Sequence, residues 1–461
     1  MSAVLPSTPF LEGHIQADHP LSPRSAVTRL APLVKQIVGY TPQSLWDLET
    51  ARLPKRLQAY RRKARAYAQT HLAPVALEMD ALPHPPAGQW HPQLRAIVQE
   101  AGRQGWLTDI VPAPLGSCPW GEALHPMAWR CALKVEEFSR ACGGLMLLLS
   151  AHLLGMAPIL LSGQIPLMWR TLVPAAKANL RGQPHLFAFA ITEPGAGSDA
   201  EDGHGAAANQ PGLRARRARD GWLLNGQKVF ISGGDLAEQL TVFAALEGEG
   251  FESWTCFLVD RTAPGFEVMR TELKMGMRAS SAAQLSFQDV WVSDANVVGG
   301  LRQGWALNRA TLNLSRLPVA SMGVGLAQAA VDVAVAHACT IRLGGKPLID
   351  YQDVQLTLAQ MMAETSTIRA LVWQGARTWA PRQGVASMAK FHCTDTAMRV
   401  IEQAMDLVGE GAVLHRTRLD KIYRDARLTQ IFEGTNQINR LSLIEDLQED
   451  LLSQLSPGAR A

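Results

Sequence analysis

A chain of 461 residues with 47% hydrophobic residues and a mean hydropathy of -0.01 has the make-up of a folded, soluble protein of two or three domains, which sets aside disordered and fibrous classes. Lysine and arginine (44) nearly balance aspartate and glutamate (41), and a net charge of +3 gives no reason to expect nucleic acid as a partner. The six cysteines, at positions 118, 131, 142, 256, 339 and 393, include no CxxC pair, so free thiols are expected and no metal site is read from them.

Residues 1–50 are rich in Pro and Ser, show little periodicity and read as an N-terminal extension. They carry no basic cluster followed by an apolar stretch, so no secretory signal is expected and a cytoplasmic enzyme is the default. Residues 51–183 read as a helical domain, from Leu53 to Glu78 and then through "HPQLRAIVQEAGRQGW" and "MAWRCALKVEEFSRACGGLMLLLSAHLLGMAPIL". The apolar run from Gly143 to Gly163 is about as long as a membrane span, roughly 20 residues. Ser150, His152, Pro158 and the dividing glycines favour a pair of core helices instead, and no membrane partner is expected. At about Pro184 the texture changes to short apolar runs such as "HLFAFAITE", "GWLLNGQKVFIS", "QLTVFAALE" and "SAAQLSFQDVWV", which predict a β domain over 184–300, with a hairpin turn at Leu224–Gly226. Helices return over 301–461. The segment starting at Ser315, "SRLPVASMGVGLAQAAVDVAVAHA", is apolar nearly all round and predicts a helix buried on every side. The fold class is therefore α+β and multi-domain, in the order helical, β, helical. Two basic stretches, "YRRKARAY" and "LRARRARDG", read as solvated faces.

Three stretches are candidates for chemistry. "GAGSDA" fits the loose dinucleotide fingerprint, but "EDGHGAAANQPG" follows it as a loop where that fingerprint needs a helix. The strand end before it, running into Thr-Glu-Pro-Gly, either offers N–H groups and a hydroxyl to a planar, acceptor-rich ring or is a plain turn. In "QKVFISGG", Phe230 and Ser232 share one face if the stretch is a regular strand, a pairing that suits a ring and equally suits a half-buried strand. In "TQIFEGTNQINR", Glu433 sits among apolar and β-branched neighbours. Desolvation would make it a useful base, while the alternative is a solvated bystander beside Thr435, which caps the final helix.

Taken together, these motifs give the chain its resemblance. "AFAITEPGAGSDA", "KVFISGG", "KMGMRASSAAQLSFQDVWV" and "YRDARLTQIFEGTNQINR" resemble, in order and spacing, the signatures of the acyl-CoA dehydrogenases, over about residues 53–450. The resemblance implies an N-terminal helical domain, a middle β-barrel or sandwich domain and a C-terminal four-helix bundle, with FAD as cofactor, an acyl-CoA as substrate and a homotetramer or homodimer as the assembly. An electron-transfer flavoprotein is the implied electron acceptor. Glu433 matches the base that takes the proton next to the thioester carbonyl. Ile191, Thr192 and Ser232 would meet the isoalloxazine, with Phe230 against it, while Thr435 and Gln437 would lie on the cofactor side. Ser198 would sit where CoA enters, near Asn313, Arg316 and Gly434 on the substrate side. The position before Arg316, which in some branches holds the glutamate, is Ser315 here, so Glu433 has no rival. At the FAD diphosphate end the chain departs from the pattern. Arg342 is shifted by one and Gly344 stands for an aromatic residue, while Asp406, Gly409 and Glu410 fill a usually glycine-rich stretch and bring negative charge. The same fold also serves acyl-CoA oxidases, flavin monooxygenases, non-redox acyl-CoA lyases and a DNA-binding adaptive-response branch.

Overall fold

The computed structural model describes residues 44–455 except 83–85, 87, 123–124, 199–211 and 380; of the features read above, the bulk of the N-terminal extension and all but the final glycine of the loop "EDGHGAAANQPG" lie outside the described residues. The described residues begin with seven α-helices: α1 (Leu45–Ala51), α2 (Lys55–Tyr67), α3 (Ala76–Ala81), α4 (Pro92–Arg103), α5 (Met127–Ala141), α6 (Gly143–Leu161) and α7 (Ile165–Leu180). Ser44 caps α1 by accepting the Asp47 N–H at 3.2 Å. Cys142 is extended between α5 and α6, and its sulfur accepts the Leu145 N–H as the chain turns from one helix into the next.

The apolar run from Gly143 is one helix, not the expected pair. Its glycines do not break it because they serve close packing: a Cβ on Gly155 would lie 2.7 Å from the Ala188 nitrogen, and one on Gly144 would lie 3.1 Å from the Met277 carbonyl carbon. Pro158 falls in its last turn, where it costs a single helical bond. Among the described residues two helices, Gly143–Leu161 and Gly304–Thr340, are long and apolar enough to cross a membrane, but 56% and 72% of their most apolar windows are buried inside this protein.

The basic stretch on α2 is the expected solvated face only in part: Arg62 and Lys63 are exposed, but Arg61 is buried. Leu57, Arg61 and Ala64 share one buried stripe at helical spacing. Fully buried Arg61 binds Glu136 at 2.7 Å and Glu137 at 3.0 Å, both on α5. The second stretch does lie at the surface, where Arg217 pairs with Asp294.

The middle region is one eight-stranded sheet of β1 (Phe187–Ala190), β2 (Arg214–Ala218), β3 (Gly221–Ser232), β4 (Gln239–Leu246), β5 (Thr255–Asp260), β6 (Phe266–Thr271), β7 (Ala282–Ser293) and β8 (Val297–Val298). The order is β6-β7-β3-β2-β4-β5-β8, with β1 paired parallel to β4. The predicted turn at Leu224–Gly226 instead lies inside β3 as a bulge, because Asn225 exchanges two 2.9 Å side-chain bonds with Asp289 of β7 and Gly226 presses on Leu213. The chain reverses earlier, at Arg219–Asp220, where Asp220 has φ 60°. Phe187, Phe189, Phe243 and Trp254 pack with Met156, Leu167 and Leu172 into a core that seats α6 and α7 on the sheet.

The last third contains α8 (Gly304–Thr340), α9 (Gln352–Gly375), α10 (Gln383–Val408), α11 (Leu419–Thr429) and α12 (Asn436–Leu455). Arg342–Leu343 and Lys346–Pro347 form a short hairpin, β9 and β10, after α8. The middle of α8 is buried continuously from Val319 to Ala327, as its composition predicts, and its small residues allow close contact: a Cβ on Gly325 would lie 2.3 Å from the Glu136 carbonyl oxygen. Asn313 meets Pro381, Arg316 meets Ser387 and Gly323 faces Cys393, so α8 and α10 run in the same direction through the bundle. Arg369 on α9 reaches Glu136 and Glu49, each at 2.9 Å, and joins the bundle to the N-terminal helices through buried charge.

Candidate active site

Glu433 lies on the turn between α11 and α12, with φ 55°, and Gly434 follows at φ 80°. Two successive left-handed residues, one of them not glycine, form a strained turn that costs about 1–3 kcal/mol and persists only where neighbours hold it. Here they do. The Lys390 ammonium, fully buried on α10, donates to the Gly434 carbonyl at 2.6 Å and to Asn436 Oδ1 at 2.8 Å. Asn439 Nδ2 donates to the same carbonyl at 2.9 Å, and the Asn436 N–H returns to the Gln430 carbonyl at 3.0 Å. Asp395 accepts from Gln430, Asn436 and Arg440, gripping both ends of the turn.

The half-buried Glu433 carboxylate accepts from Ser315 Oγ at 2.6 Å, so it is not a solvated bystander. Thr435 nevertheless does what the alternative reading gave it: its Oγ1 accepts the Ile438 N–H at 3.3 Å and starts α12. Ser198 Oγ accepts the Thr435 N–H at 3.1 Å, which joins the loop after β1 to the Glu433 turn across 237 positions of sequence. Beside Ser315 on α8, buried Arg316 donates to Ser387 at 2.8 Å, and half-buried Asn313 donates to the Pro381 carbonyl at 2.9 Å. Gly434 is buried in the turn, while Gln437 is exposed on the first turn of α12.

The other wall is the end of β1 against β3. The Val229 N–H donates to the Thr192 carbonyl at 2.9 Å. Lys228, fully buried, donates to the Ile191 carbonyl at 2.8 Å and pairs with Glu193 at 2.7 Å. Glu193 in turn accepts from the Gly212 and Leu213 N–H groups. Burial pushes the Lys228 ammonium below its ordinary value, and the Glu193 carboxylate works against that. Phe230 and Ser232 do not follow a regular strand alternation: the β3–β7 register shifts between Lys228 and Ile231, and Phe230 takes φ 59°. The bulge turns the Phe230 ring outward, 62% exposed on an otherwise largely buried segment, and leaves Ser232 half-buried. An outward aromatic face, the hydroxyls of Thr192 and Ser232, and a peptide edge fixed at Ile191–Thr192 are a donor set that fits a flat ring with polar edges.

Arg342, Asp406 and Gly409 are not brought to this wall within the chain. Ser315 and Thr340 are 25 residues apart on one helix, about 37 Å at 1.5 Å per residue. Arg342 is exposed in the hairpin just beyond, donating to the Gly345 carbonyl at 2.6 Å, and Asp406 and Gly409 are exposed at the matching end of α10.

Three family models cover the chain: the acyl-CoA dehydrogenase N-terminal domain over residues 54–177, the middle domain over 188–290 and the C-terminal domain over 302–448. The chain belongs to the acyl-CoA dehydrogenase family. It is 32% identical over 398 residues to the mitochondrial short-chain specific acyl-CoA dehydrogenase of Mus musculus, covering 85% of this chain and 90% of that one. It is 34% identical over 388 residues to the cyclohex-1-ene-1-carbonyl-CoA dehydrogenase of Geobacter metallireducens, covering 82% and 94%. The solved structure of butyryl-CoA dehydrogenase from Megasphaera elsdenii matches with a TM-score of 0.76 and 29% identity, over 86% of this chain and 99% of that one. As an acyl-CoA dehydrogenase the protein is an oxidoreductase that acts on CH–CH groups and binds FAD, and the wall formed by Thr192, Phe230 and Ser232 fits that cofactor's ring.

Sequence reasoning missed Lys390, Asn439, Asp395, Lys228 and Glu193. Lys228 gave a faint signal, a lysine on a strand directly before the apolar run Val229–Ile231, where a buried partner makes the position tolerable.

Proposed function

We propose that this enzyme removes two hydrogens from an acyl-CoA thioester and forms the trans-2-enoyl-CoA, with Glu433 as the base. One observation carries the reading: a half-buried carboxylate on a strained turn, held by Ser315 on one side and by Lys390 and Asn439 on the other, and linked through Ser198 to the wall that fits the flavin. The α C–H of a thioester is a very weak acid, so the base must be aimed and the developing enolate met by donors. The Glu433 N–H, on the same braced turn, is the chain's own donor for the thioester oxygen. Bound FAD supplies the acceptor for the hydride that leaves the neighbouring carbon. Thr192, Ser232 and Phe230 orient it, Ser198 and Asn313 line the approach of the CoA arm, and the Arg316 guanidinium offsets negative charge near the base. Arg342, in the hairpin after the end of α8 that lies about 37 Å from Ser315, supports an assembly in which it serves a neighbouring subunit's FAD, a homotetramer or homodimer. Reoxidation by an electron-transfer flavoprotein completes the proposed cycle.

Glu433→Gln is the decisive variant. It should fold, bind FAD and stay yellow, while bleaching of the flavin by acyl-CoA under anaerobic conditions falls by about 10⁴-fold or more, the upper range for loss of an aimed general base. Near-normal bleaching in the variant would remove Glu433 from the mechanism.

A further inference from the structure

Ser315 Oγ has two acceptors within reach, Glu433 Oε2 at 2.6 Å and the Leu312 carbonyl at 3.0 Å, and only one hydrogen to give. A carboxylate can only accept, so while Glu433 is ionised the hydrogen points at Oε2. A protonated carboxyl group has its own O–H to place. The Ser315 oxygen can then accept that O–H, provided its hydrogen turns to the Leu312 carbonyl, three residues back on α8, in the back-bond that helical serines readily make. Both arrangements use the same heavy-atom positions. Both also keep the half-buried carboxyl group hydrogen-bonded without help from water.

We infer that Ser315 is a positioning residue, a reversible hydroxyl partner that holds the Glu433 carboxyl group on one aim before and after it takes a proton. The inference rests on Glu433 being the base. The proton balance is simple: the substrate's α C–H breaks, its proton ends on Glu433, and Ser315 keeps its own hydrogen and only redirects it. A base that must charge and discharge in every turnover, on a turn as tightly braced as this one, needs a neighbour that suits both states, because the backbone carbonyls and the Lys390 ammonium around the turn are each fixed as acceptor or donor.

The test uses the FAD-bound full-length protein as wild type, Ser315→Ala and Ser315→Thr. In Ser315→Ala the rate of flavin reduction by a saturating acyl-CoA should fall about 10- to 100-fold, the worth of one hydrogen bond to a charged group, while the thioester's apparent Kd stays within about threefold. Ser315→Thr should recover most of the rate, since a helical threonine hydroxyl reaches the same carbonyl. Infrared difference spectra against Glu433→Gln identify the Glu433 bands. The carboxylate band at neutral pH and the carboxyl C=O band at low pH should both shift in Ser315→Ala and return in Ser315→Thr. The infrared readout needs no turnover, so if no thioester bleaches the wild type, the dehydrogenase reading fails while the Ser315 partnership is still decided. Wild-type reduction rates in Ser315→Ala, or a protonated C=O band that does not move, would overturn the inference.

Discussion

Lys390 reaches the Glu433 turn from 44 positions away and, with Asn439, supplies donors to the one carbonyl, that of Gly434, on which two left-handed residues converge. Replacing it with methionine keeps the length of the side chain and removes both the charge and the donors. Lys390→Met should slow flavin reduction by at least tenfold and raise amide hydrogen exchange across residues 430–440, with global stability down by about 1–3 kcal/mol for the donors lost. Unchanged exchange in that segment would mean that the turn holds itself. This residue also marks the limit of what the sequence makes legible. Glu433 stands out because an acid amid apolar neighbours is a local oddity, and Thr435 because capping is a local rule. What Lys390, Asp395 and Asn439 do depends on which carbonyl the fold brings to them, and no local pattern contains that. The same holds for Lys228, whose buried ammonium is understood only once Glu193 and the Ile191 carbonyl are beside it.

At the scale of elements, hydrophobic period and punctuation gave the order helical, β, helical, because burial of one face leaves its mark every two or 3.6 residues. They failed where glycine had a second use. In α6, Gly155 suggests a break, yet it exists so that the helix can lie directly on the backbone of β1, 2.7 Å from Ala188 for an added Cβ. Gly155→Ala should therefore destabilise the protein by about 1–3 kcal/mol despite alanine's better helix propensity, read as a lower thermal midpoint. A neutral or stabilising outcome would show that α6 can shift off the sheet. The asparagine and glycine inside β3 misled in the same way, since Asn225 and Gly226 make a bulge against β7 and not a reversal. The second bulge in that strand, at Lys228–Ile231, turns Phe230 outward, and strict alternation could not foresee it.

For the molecule as a whole, buried His152 is one source of sensitivity to acid. His152 on α6 is buried, with its Nε2 on the Leu107 carbonyl at 2.6 Å and its Nδ1 without a partner among the described residues, and burial pushes its pKa from the ordinary 6.5 down to about 4. Its folded pKa is the lower one, so as pH falls the unfolded chain takes the proton first. Stability is lost between pH 6.5 and about 4 and unaffected above that window, by up to about 3 kcal/mol in all. Urea midpoints of His152→Gln should fall less steeply than wild type between pH 7 and 5. Equal slopes would assign the acid sensitivity to other groups.

The buried ion cluster sets a different kind of limit. Arg369 lies between Glu49 and Glu136, and Arg61 between Glu136 and Glu137, so the first helices and the bundle share charges that neither can leave in its interior alone. A truncated gene product that stops before Gly304 would strip Glu49 of its guanidinium and leave Glu136 with one cation in place of two, on surfaces built to exclude water. Such a piece is expected to collect in the insoluble fraction on expression, and supplying residues 304–461 on a separate plasmid in the same cells is expected to bring it back into solution.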